Sequence, residues 1–296
     1  MTRVAVIGVG RMGAPVTRRL LAAGHSVTVC DPSSAAVAPL CARGANRAGA
    51  PAVAAAASEV TITFLPTPDV VESVVLGERG ALAGAAPDSL LIEMSTSPPS
   101  LARRLAAAGR ERGVAVLDAP VTGGPRGAEA GTLAIMVGGE ADAFAHAAPL
   151  LETLGKVVRH MGPPGSGQAT KLTNNILAAA HMAVLAEAVA LARSEGLDPA
   201  KVYEIISNGT GDSRVLRNRY PVPGVVPEAP ASNAWAPLFP LDLIAKDVAL
   251  ALATAGEHGL TLPVGEAALA RYREAQAAAL GDLDYSAVAR LFDTSP

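Results

Sequence analysis

The chain has 296 residues, of which half are hydrophobic but only 3% aromatic, and its 24 Lys and Arg residues against 27 Asp and Glu give a net charge of −3. This balance lacks the basic footprint that contact with a phosphate backbone requires, so nucleic acid is excluded as an expected partner. The two cysteines, Cys30 and Cys41, have no neighbouring cluster of histidines or acids, which excludes a disulfide framework and a metal site. A single core seldom grows beyond about 250 residues, so the length favours two domains or one large one.

Strands and helices alternate in the first half of the chain. Apolar, β-branched runs predict strands at 3–7, 26–30, 59–65, 90–94 and 114–117, and helical spacing predicts helices at 14–23, 35–43 and 101–112. A final pair of strands is predicted at 132–137 and 157–161. Nearly all-apolar strands separated by helices are typical of a doubly wound parallel sheet that helices cover on both faces.

The pattern changes after the cluster Gly162-Pro-Pro-Gly-Ser-Gly167, where we place a domain boundary. Residues 1–162 are predicted to form an α/β domain, and 163–296 an all-helical bundle. Helices are predicted at 168–195, 241–258 and 263–279, with an irregular proline-rich segment at 220–240. A long helix that is apolar on all sides is expected to be buried.

The most apolar stretch, 176–192, is nearly long enough to raise the question of a membrane span. His181 and Glu187 interrupt it, and Lys171 precedes it. We therefore predict a helix of a soluble bundle and no membrane partner. The apolar run that ends at Gly8 is too short for a signal peptide, which leaves a cytoplasmic location as the expectation.

A glycine-rich motif, Gly8-Val-Gly10-Arg11-Met12-Gly13, follows the first predicted strand and opens the first helix. Glycines in this context allow a tight turn and the close approach of a pyrophosphate to the helix N-terminus, where free N–H groups favour anions. Asp31 ends the second strand and is placed to accept hydrogen bonds from an adenosine ribose. Because an acid repels the 2′-phosphate of NADP and no arginine occurs at 32–34, we predict a Rossmann-type NAD site.

A second candidate cluster is Asp118-Ala-Pro-Val-Thr122-Gly123-Gly124, which follows a predicted strand. The Thr122 hydroxyl and the amides of Gly123 and Gly124 are able to form a small anion cradle. The same glycines also fit a purely structural turn, and the residues alone do not decide between the two.

A third cluster, Lys171 with Asn174 and Asn175, stands at the head of the long apolar helix. Lys171 and Asn175 are four residues apart and share a helical face. Polar groups that open an otherwise buried helix are costly unless they are used, so this trio indicates function rather than packing.

With these clusters in view, the chain resembles the β-hydroxyacid dehydrogenases, in particular their 3-hydroxyisobutyrate branch. The resemblance covers the whole chain and rests on the glycine-rich opening, Phe64-Leu-Pro66, Glu93-Met-Ser-Thr96, Asp118 to Gly124, Gly165 to Asn175, Tyr220-Pro-Val-Pro-Gly-Val, Pro230-Ala-Ser-Asn233, and Phe239-Pro-Leu-Asp-Leu-Ile-Ala-Lys246-Asp247. It implies an NAD-dependent oxidoreductase, a homodimer or homotetramer, that reversibly oxidises a small 3-hydroxy acid to its semialdehyde. The α/β domain is then the dinucleotide-binding domain, and the helical bundle serves substrate binding and oligomerisation.

The same resemblance implies a role for each cluster. Lys171 is implied to be the catalytic acid/base, Asn175, beside Asn174, to orient the substrate, and Thr122, Gly123 and Gly124 to hold its carboxylate. The nicotinamide half of the cofactor is implied to contact Leu65, Pro66, Thr96 and Lys246, with Asp247 supporting the helix of Lys246. The chemistry agrees, because the substrate hydroxyl must lose its proton as hydride leaves, and burial beside a positive nicotinamide ring favours the neutral lysine that takes it.

The main departure from the family pattern is Gly211-Asp212-Ser213-Arg214-Val215, where relatives generally carry a bulky apolar pair near the substrate. If Arg214 faces the site, the substrate carries a second anionic or polar group; alternatively, Arg214 turns to solvent or pairs with Asp212. Two rival functions remain. One is a semialdehyde or imine reductase on the same scaffold, although imine reductases usually lack a lysine like Lys171. The other is a non-catalytic NAD-binding module, which the intact polar trio disfavours.

Overall fold

The computed structural model describes residues 1–293 and divides the chain into two compact units. The first unit spans Met1–Lys171, and the second begins at Leu172. The predicted domain boundary at 162/163 stays a prediction. Each unit is described by itself below.

Nine strands form in the described residues, all of them in the first unit. They are β1 (Arg3–Ile7), β2 (Ser26–Cys30), β3 (Asn46–Arg47), β4 (Val60–Thr63), β5 (Leu90–Glu93), β6 (Ala115–Asp118), β7 (Val121–Thr122), β8 (Leu133–Gly138) and β9 (Gly155–Gly162). The α-helices of this part are α1 (Gly13–Ala22), α2 (Ser34–Cys41), α3 (Pro51–Ala56), α4 (Pro68–Leu76), α5 (Ala81–Gly84), α6 (Pro99–Arg110), α7 (Gly124–Ala130) and α8 (Ala141–Glu152).

Helix α9 (Ser166–Ser194) runs from the first unit into the second. The second unit continues with α10 (Pro199–Ser207), α11 (Arg214–Arg219), α12 (Leu241–Glu257) and α13 (Pro263–Ala277). Two 3₁₀ helices, Pro230–Asn233 and Tyr285–Phe292, complete it. Helices α10 and α11 were not predicted, whereas the long helix and the last two α-helices were.

The sheet follows the order β3-β2-β1-β4-β5-β6-β8-β7, with β9 beside β8. The ladders from β3 through β6 are parallel, and the strand order reverses between β1 and β4. This is the Rossmann arrangement, in which ligands bind outside the carboxyl ends of the strands at the reversal point. The predicted α/β fold with a helical second part is thereby confirmed.

One edge of the sheet departs from the all-parallel prediction. Strand β8 pairs antiparallel with both β6 and β7 and parallel with β9. The connection from β6 to β8 contains the short strand β7 and helix α7, and it brings the chain back antiparallel instead of crossing over to run parallel. The sheet is therefore mixed at this edge and parallel around the reversal point.

Alternate residues of the central strand supply the two faces of the core. Val4 and Val6 pack into one hydrophobic cluster of the first unit, whereas Ala5 and Ile7 pack into another on the opposite face. All four side chains are buried. A strand buried on both faces reads as a continuous apolar run, which is why the sequence identified it.

The core of the second unit is built around buried tyrosines and aliphatic side chains. Tyr272 is fully buried, and its hydroxyl donates to the backbone oxygen of Ala179 at 3.0 Å. The proline-rich segment at 220–240 is irregular apart from one 3₁₀ turn, as predicted. Asp284, which is also fully buried, accepts hydrogen bonds from the backbone N–H groups of Leu238 and Phe239 at 3.0 Å each.

Helix α9 is not buried on all sides within this chain, contrary to the prediction. Leu177, Val184 and Leu191 are 54%, 59% and 66% exposed, and they recur every seventh residue along one face of the helix. By length and composition alone the helix is also able to cross a membrane. Its opposite face includes Ala179 and Met182, which belong to the core of the second unit, as in the core helix of a soluble bundle.

Candidate active site

The glycine-rich loop lies at the reversal point of the sheet, between β1 and α1. Gly8 has a φ of +85°, and a Cβ there would overlap the backbone oxygen of Phe64, which follows β4. A Cβ at Gly13 would overlap the backbone oxygen of Gly8. Both positions therefore require glycine for close backbone packing, which keeps the loop tight against the sheet.

The space above this loop fits an anionic dinucleotide. Gly10 is exposed, and a Cβ there would have no atom within 4 Å, so the backbone stays open to a ligand. Within the described residues, α1 begins at Gly13 without a side-chain cap and without an acid in its first turn. An uncapped helix N-terminus behind an open glycine suits a pyrophosphate, and Arg11 and Met12 form the rest of the loop.

Asp31 ties the end of β2 to the glycine-rich loop. One carboxylate oxygen accepts from the backbone N–H of Val9 at 2.9 Å, and the other from Ser33 at 2.8 Å. Each oxygen keeps a lone pair for a further donor. The carboxylate therefore holds the loop in place and stays able to accept from a ribose hydroxyl.

The segment 93–97, which contains Thr96, is held from two sides within the first unit. The Ser95 hydroxyl accepts from the backbone N–H of Leu65 at 2.8 Å. From α9, the fully buried Gln168 donates to Glu93 at 3.0 Å and to the Ser95 backbone oxygen at 2.9 Å, and accepts from the Ser97 N–H at 3.0 Å. Sequence reasoning assigned no role to Gln168, although it stands three residues before Lys171.

We expect Gln168→Ala to lower the free energy of unfolding by about 2–3 kcal/mol, because it removes three buried hydrogen bonds, to Glu93, to the Ser95 backbone oxygen and from the Ser97 N–H. Denaturant unfolding measures this change. Gln276→Ala is the matched control, since Gln276 makes its hydrogen bond to Asp242 at an exposed site. An equal loss in both variants would contradict the role given to Gln168.

Asp118, at the end of β6, binds the N-terminus of α9. Its carboxylate accepts from the backbone N–H of Gly165 at 2.7 Å and of Gln168 at 2.8 Å. Burial raises the pKa of the Asp118 carboxyl from 3.8 to about 6, against the opposing effect of these backbone amides. Packing here is close, because a Cβ at Gly138 or Gly167 would meet the Asp118 side chain within 3 Å.

This raised pKa predicts a pH dependence of stability. Because the folded state binds the carboxyl proton more tightly, the contribution of Asp118 is largest below pH 3.8 and is lost as the pH rises through about 6. The free energy of unfolding, relative to Asp118→Asn, is therefore expected to fall by roughly 1 kcal/mol per pH unit across this window and to level off above it. Denaturant unfolding of both proteins from pH 4.5 to 7.5 measures this.

Asp69→Asn is the control for this series, since Asp69 is exposed in the first turn of α4. Its difference from the unsubstituted protein is expected to stay nearly constant with pH. A constant difference for Asp118→Asn as well would contradict a raised pKa at Asp118.

Lys171 lies in the second turn of α9 and is only 8% exposed. The turn before it is fixed by Asp118 and Gln168, which bind the first residues of the helix to strand ends of the same unit. The lysine therefore projects from one of the best-anchored turns of the first unit. Among residues 1–293, no group of three or more His, Cys, Asp and Glu side chains is arranged to hold a metal ion.

Thr122 ends the short strand β7, and the two glycines after it turn the chain into α7. Gly123 has a φ of +127° and Gly124 of +64°, conformations that L side chains rarely adopt. A Cβ at Gly123 would press on the Leu133 side chain at 3.1 Å. Thr122 is partly exposed, so its hydroxyl stays accessible. The turn is thus built for glycine, and its use as an anion cradle stays a prediction.

In the second unit, two hydrogen bonds and one ion pair join four polar side chains into a continuous row. Asn174 donates to the amide oxygen of Asn175 at 2.9 Å, and Asn175 donates to Asp247 at 2.7 Å. The ammonium of Lys246 lies 3.1 Å from the other oxygen of Asp247. Asn175 and Asp247 are buried. Asp247, which the sequence suggested as a support for the helix of Lys246, thus also fixes the amide of Asn175.

Arg214 is the first residue of α11 and is exposed. The suggested pairing with Asp212 is wrong, because Asp212 binds Arg217 instead, at 2.8 Å. The Ser213 hydroxyl accepts from the backbone N–H of Leu216 at 3.0 Å and thereby caps α11, which fixes the backbone at Arg214. Arg214 is therefore free of the intramolecular pairing that the sequence left open.

Two family models match the chain in succession. Residues 3–162 match the NAD-binding domain of 6-phosphogluconate dehydrogenase, and residues 165–292 match the NAD-binding domain of NADP-dependent 3-hydroxyisobutyrate dehydrogenase. The chain belongs to the 3-hydroxyisobutyrate dehydrogenase family. As a member of this family, it is an NAD(P)-dependent dehydrogenase that acts on CH–OH groups.

Relatives of this dehydrogenase match it along almost their whole length. A 3-hydroxyisobutyrate dehydrogenase of Pseudomonas aeruginosa is 43% identical over 297 residues, which is 99% of each chain. An NAD-dependent L-serine dehydrogenase of the same organism is 42% identical over 293 residues, or 99% of this chain and 98% of that protein. The solved structure of Mycobacterium tuberculosis 3-hydroxyisobutyrate dehydrogenase with L-serine is 38% identical, with a TM-score of 0.92 over 99% of this chain and 100% of that one.

Proposed function

We propose that this dehydrogenase oxidises the hydroxyl group of a small 3-hydroxy acid to the semialdehyde, reversibly and with NAD, and that Lys171 is the general acid/base. The observation that carries the proposal is the burial of Lys171, which is 8% exposed, in a turn anchored by Asp118 and Gln168. Buried lysines are rare because burial disfavours the ammonium form, and the neutral amine is a proton acceptor.

The residue type also supports the proton-transfer role. The chain has only four lysines among its 24 Lys and Arg residues, so arginine supplies most of its positive charge. Arginine stays protonated in proteins and cannot serve as a base, whereas a buried lysine can lose its proton. A lysine at this buried position therefore fits a role in proton transfer better than the role of a permanent positive charge.

The cofactor half of the proposal uses the loop and strand ends of the first unit together with Lys246 of α12. The pyrophosphate would bind the glycine-rich loop, Gly8, Gly10, Arg11, Met12 and Gly13, and Asp31 would accept from the adenosine ribose. Leu65, Pro66, Thr96 and Lys246 would hold the nicotinamide half. When bound, the nicotinamide ring accepts a hydride in oxidation and returns it in reduction.

The substrate half assigns one task to each remaining group. The proton of the substrate hydroxyl passes to the Nζ of Lys171 as a hydride leaves the carbon that carries this hydroxyl. The carbon–oxygen bond thereby becomes a carbonyl. The Thr122 hydroxyl and the amides of Gly123 and Gly124 would bind the carboxylate. Asn175, fixed by Asp247 and flanked by Asn174, would orient the substrate.

The identity of the hydroxy acid is best resolved by turnover assays. We propose testing 3-hydroxyisobutyrate, L-serine and 3-hydroxypropionate in oxidation and tartronate semialdehyde in reduction, each with NAD and NADP. Activity on one of the hydroxy acids supports the proposal. Turnover of none of the four would contradict a simple 3-hydroxy acid as substrate.

A second candidate is a reductase of a more polar or anionic semialdehyde, which the exposed Arg214 favours. An exposed guanidinium is able to bind an additional anionic group. Under this candidate, Arg214→Ala raises the KM for tartronate semialdehyde but not for 3-hydroxyisobutyrate. Arg273→Ala, at another exposed position on α13, is the control. Equal KM values in the unsubstituted enzyme and Arg214→Ala would remove Arg214 from the site.

We further propose a homodimer or homotetramer in which the exposed face of α9, defined by Leu177, Val184 and Leu191, packs against a second copy. A row of large apolar side chains at heptad spacing is a helix-packing surface. Light scattering of Val184→Glu is expected to give a lower mass than the unsubstituted enzyme, with Val53→Glu, the same change at an exposed valine of α3, as the control. An unsubstituted enzyme that is already a monomer would contradict this.

We include a cytoplasmic location in the proposal. Both cysteines, Cys30 and Cys41, are free thiols, as is usual in reducing compartments.

A further inference from the structure

An arginine that the sequence did not single out lies close to the turn that follows Asp31. Arg47 belongs to β3, a strand of only two residues that pairs Arg47 with Val29 of β2. Its guanidinium donates to the hydroxyl of Ser34 at 3.0 Å, and Ser34 is the first residue of α2. The fold thus brings an arginine from a distant point of the chain to the turn that follows Asp31.

Two opposite charges therefore lie near the carboxyl end of β2. The Asp31 carboxylate accepts from Ser33, the residue before Ser34, and Ser34 accepts from Arg47. Both charges act on the neighbouring Cys30 thiol. Burial raises the pKa of this thiol most, Asp31 raises it further, and Arg47 lowers it. Arg47 and Ser34 are also exposed, so a ligand is able to reach them.

The two charges favour different cofactors at this point. A carboxylate accepts hydrogen bonds from the free ribose hydroxyls of NAD and repels the 2′-phosphate of NADP. A guanidinium next to a hydroxyl does the reverse, because it offers several N–H donors in a geometry that matches phosphate. The preference for a hydroxyl or a phosphate at the 2′ position of the ribose then depends on the balance between the effects of Asp31 and Arg47, and not on Asp31 alone.

We propose that Arg47, together with Ser34, is a second specificity-determining element of the adenosine site, an attractive 2′-phosphate site that Asp31 opposes. The inference rests on the proposed use of a nicotinamide dinucleotide and deepens it. The enzyme then prefers NAD but also binds NADP, and neutralising Asp31 reverses the preference.

The test measures binding of two fragments that lack the nicotinamide ring, adenosine 5′-monophosphate and adenosine 2′,5′-bisphosphate, by isothermal titration calorimetry. Arg47→Ala is expected to weaken binding of the bisphosphate roughly tenfold or more, since it removes a charge-assisted contact, and to leave the monophosphate nearly unchanged. Arg43→Ala, another exposed arginine between α2 and β3, is the matched control and is expected to change neither.

Asp31→Asn is the second variant and is expected to strengthen bisphosphate binding roughly tenfold or more relative to the monophosphate. Equal weakening of both fragments by Arg47→Ala would overturn the proposal, because it would indicate a structural role or stacking on the adenine. No weakening of the bisphosphate would overturn it as well. Since neither fragment is turned over, failure here is separate from failure of the hydroxy acid assays.

Discussion

Lys171→Ala is expected to lower kcat for the preferred hydroxy acid by about 10²- to 10⁴-fold, the usual contribution of a positioned general acid/base. The affinity for the dinucleotide is expected to stay within about twofold, because the glycine-rich loop and Asp31 are untouched. Steady-state assays measure the first value, and the fluorescence of NADH on titration with the enzyme measures the second.

Lys156→Ala is the matched control, since Lys156 is exposed on β9. Small alkylamines in the assay are expected to restore part of the activity of Lys171→Ala and to have no effect on the control. This rescue separates loss of the proton acceptor from loss of structure. Near-normal turnover in Lys171→Ala would remove Lys171 from the catalytic role.

Asp284→Ala is expected to lower the free energy of unfolding by about 3–5 kcal/mol, the cost of breaking a buried ionic network. The fully buried carboxylate accepts from the N–H groups of Leu238, Phe239 and Ser286, from the Ser286 hydroxyl at 2.7 Å and from the Arg219 guanidinium at 3.1 Å. Alanine would leave the buried donors of Ser286 and the partly buried donors of Leu238, Phe239 and Arg219 without this acceptor. Denaturant unfolding followed by far-UV circular dichroism measures the change.

The control for this variant is Asp293→Ala. Asp293 also binds an arginine, Arg193 at 3.0 Å, but its side chain is 46% exposed. Surface ion pairs contribute about 0–1 kcal/mol, so little destabilisation is expected. A loss below about 1 kcal/mol in Asp284→Ala too would show that solvent replaces the carboxylate.

Much of the first unit was predictable because strands buried on both faces read as apolar runs and the glycine positions follow from backbone contacts. Gly8 and Gly13 each stand where a Cβ would overlap backbone, so their spacing reports geometry directly. The sequence also singled out Lys171 as a candidate, because a lysine that opens an apolar helix conflicts with its surroundings, and the structure buries it; its catalytic role stays a prediction.

The residues that escaped prediction owe their roles to tertiary contacts. Gln168 reads as an ordinary helical residue until the packing of α9 on the segment 93–97 buries it. Arg47 lies in a two-residue strand, too short to produce a periodic signal. Asp284 stands between Leu283 and Tyr285 near other acidic residues, and only folding decides which carboxylate is buried.

The exposed face of α9 was missed for a related reason. Hydropathy records how apolar a residue is and not which surface covers it. Leu177 and Val184 therefore gave the same signal as Ala179 and Met182, which pack in the core of the second unit. The hydropathy of a residue therefore does not distinguish packing in the core of its own chain from packing against another molecule.

The continuity of α9 has a mechanical consequence. Lys171 and Asn175 are separated by one turn of an uninterrupted helix, a rise of about 6 Å that peptide geometry alone determines. One alanine inserted after Thr173 would rotate Asn174, Asn175 and everything beyond them by about 100° around the helix axis. The side chains of Lys171 and Asn175, to which we assign proton transfer and substrate orientation, are thus kept in phase by the number of residues between them, and the length of this turn is a requirement of the proposal beside the identity of either side chain.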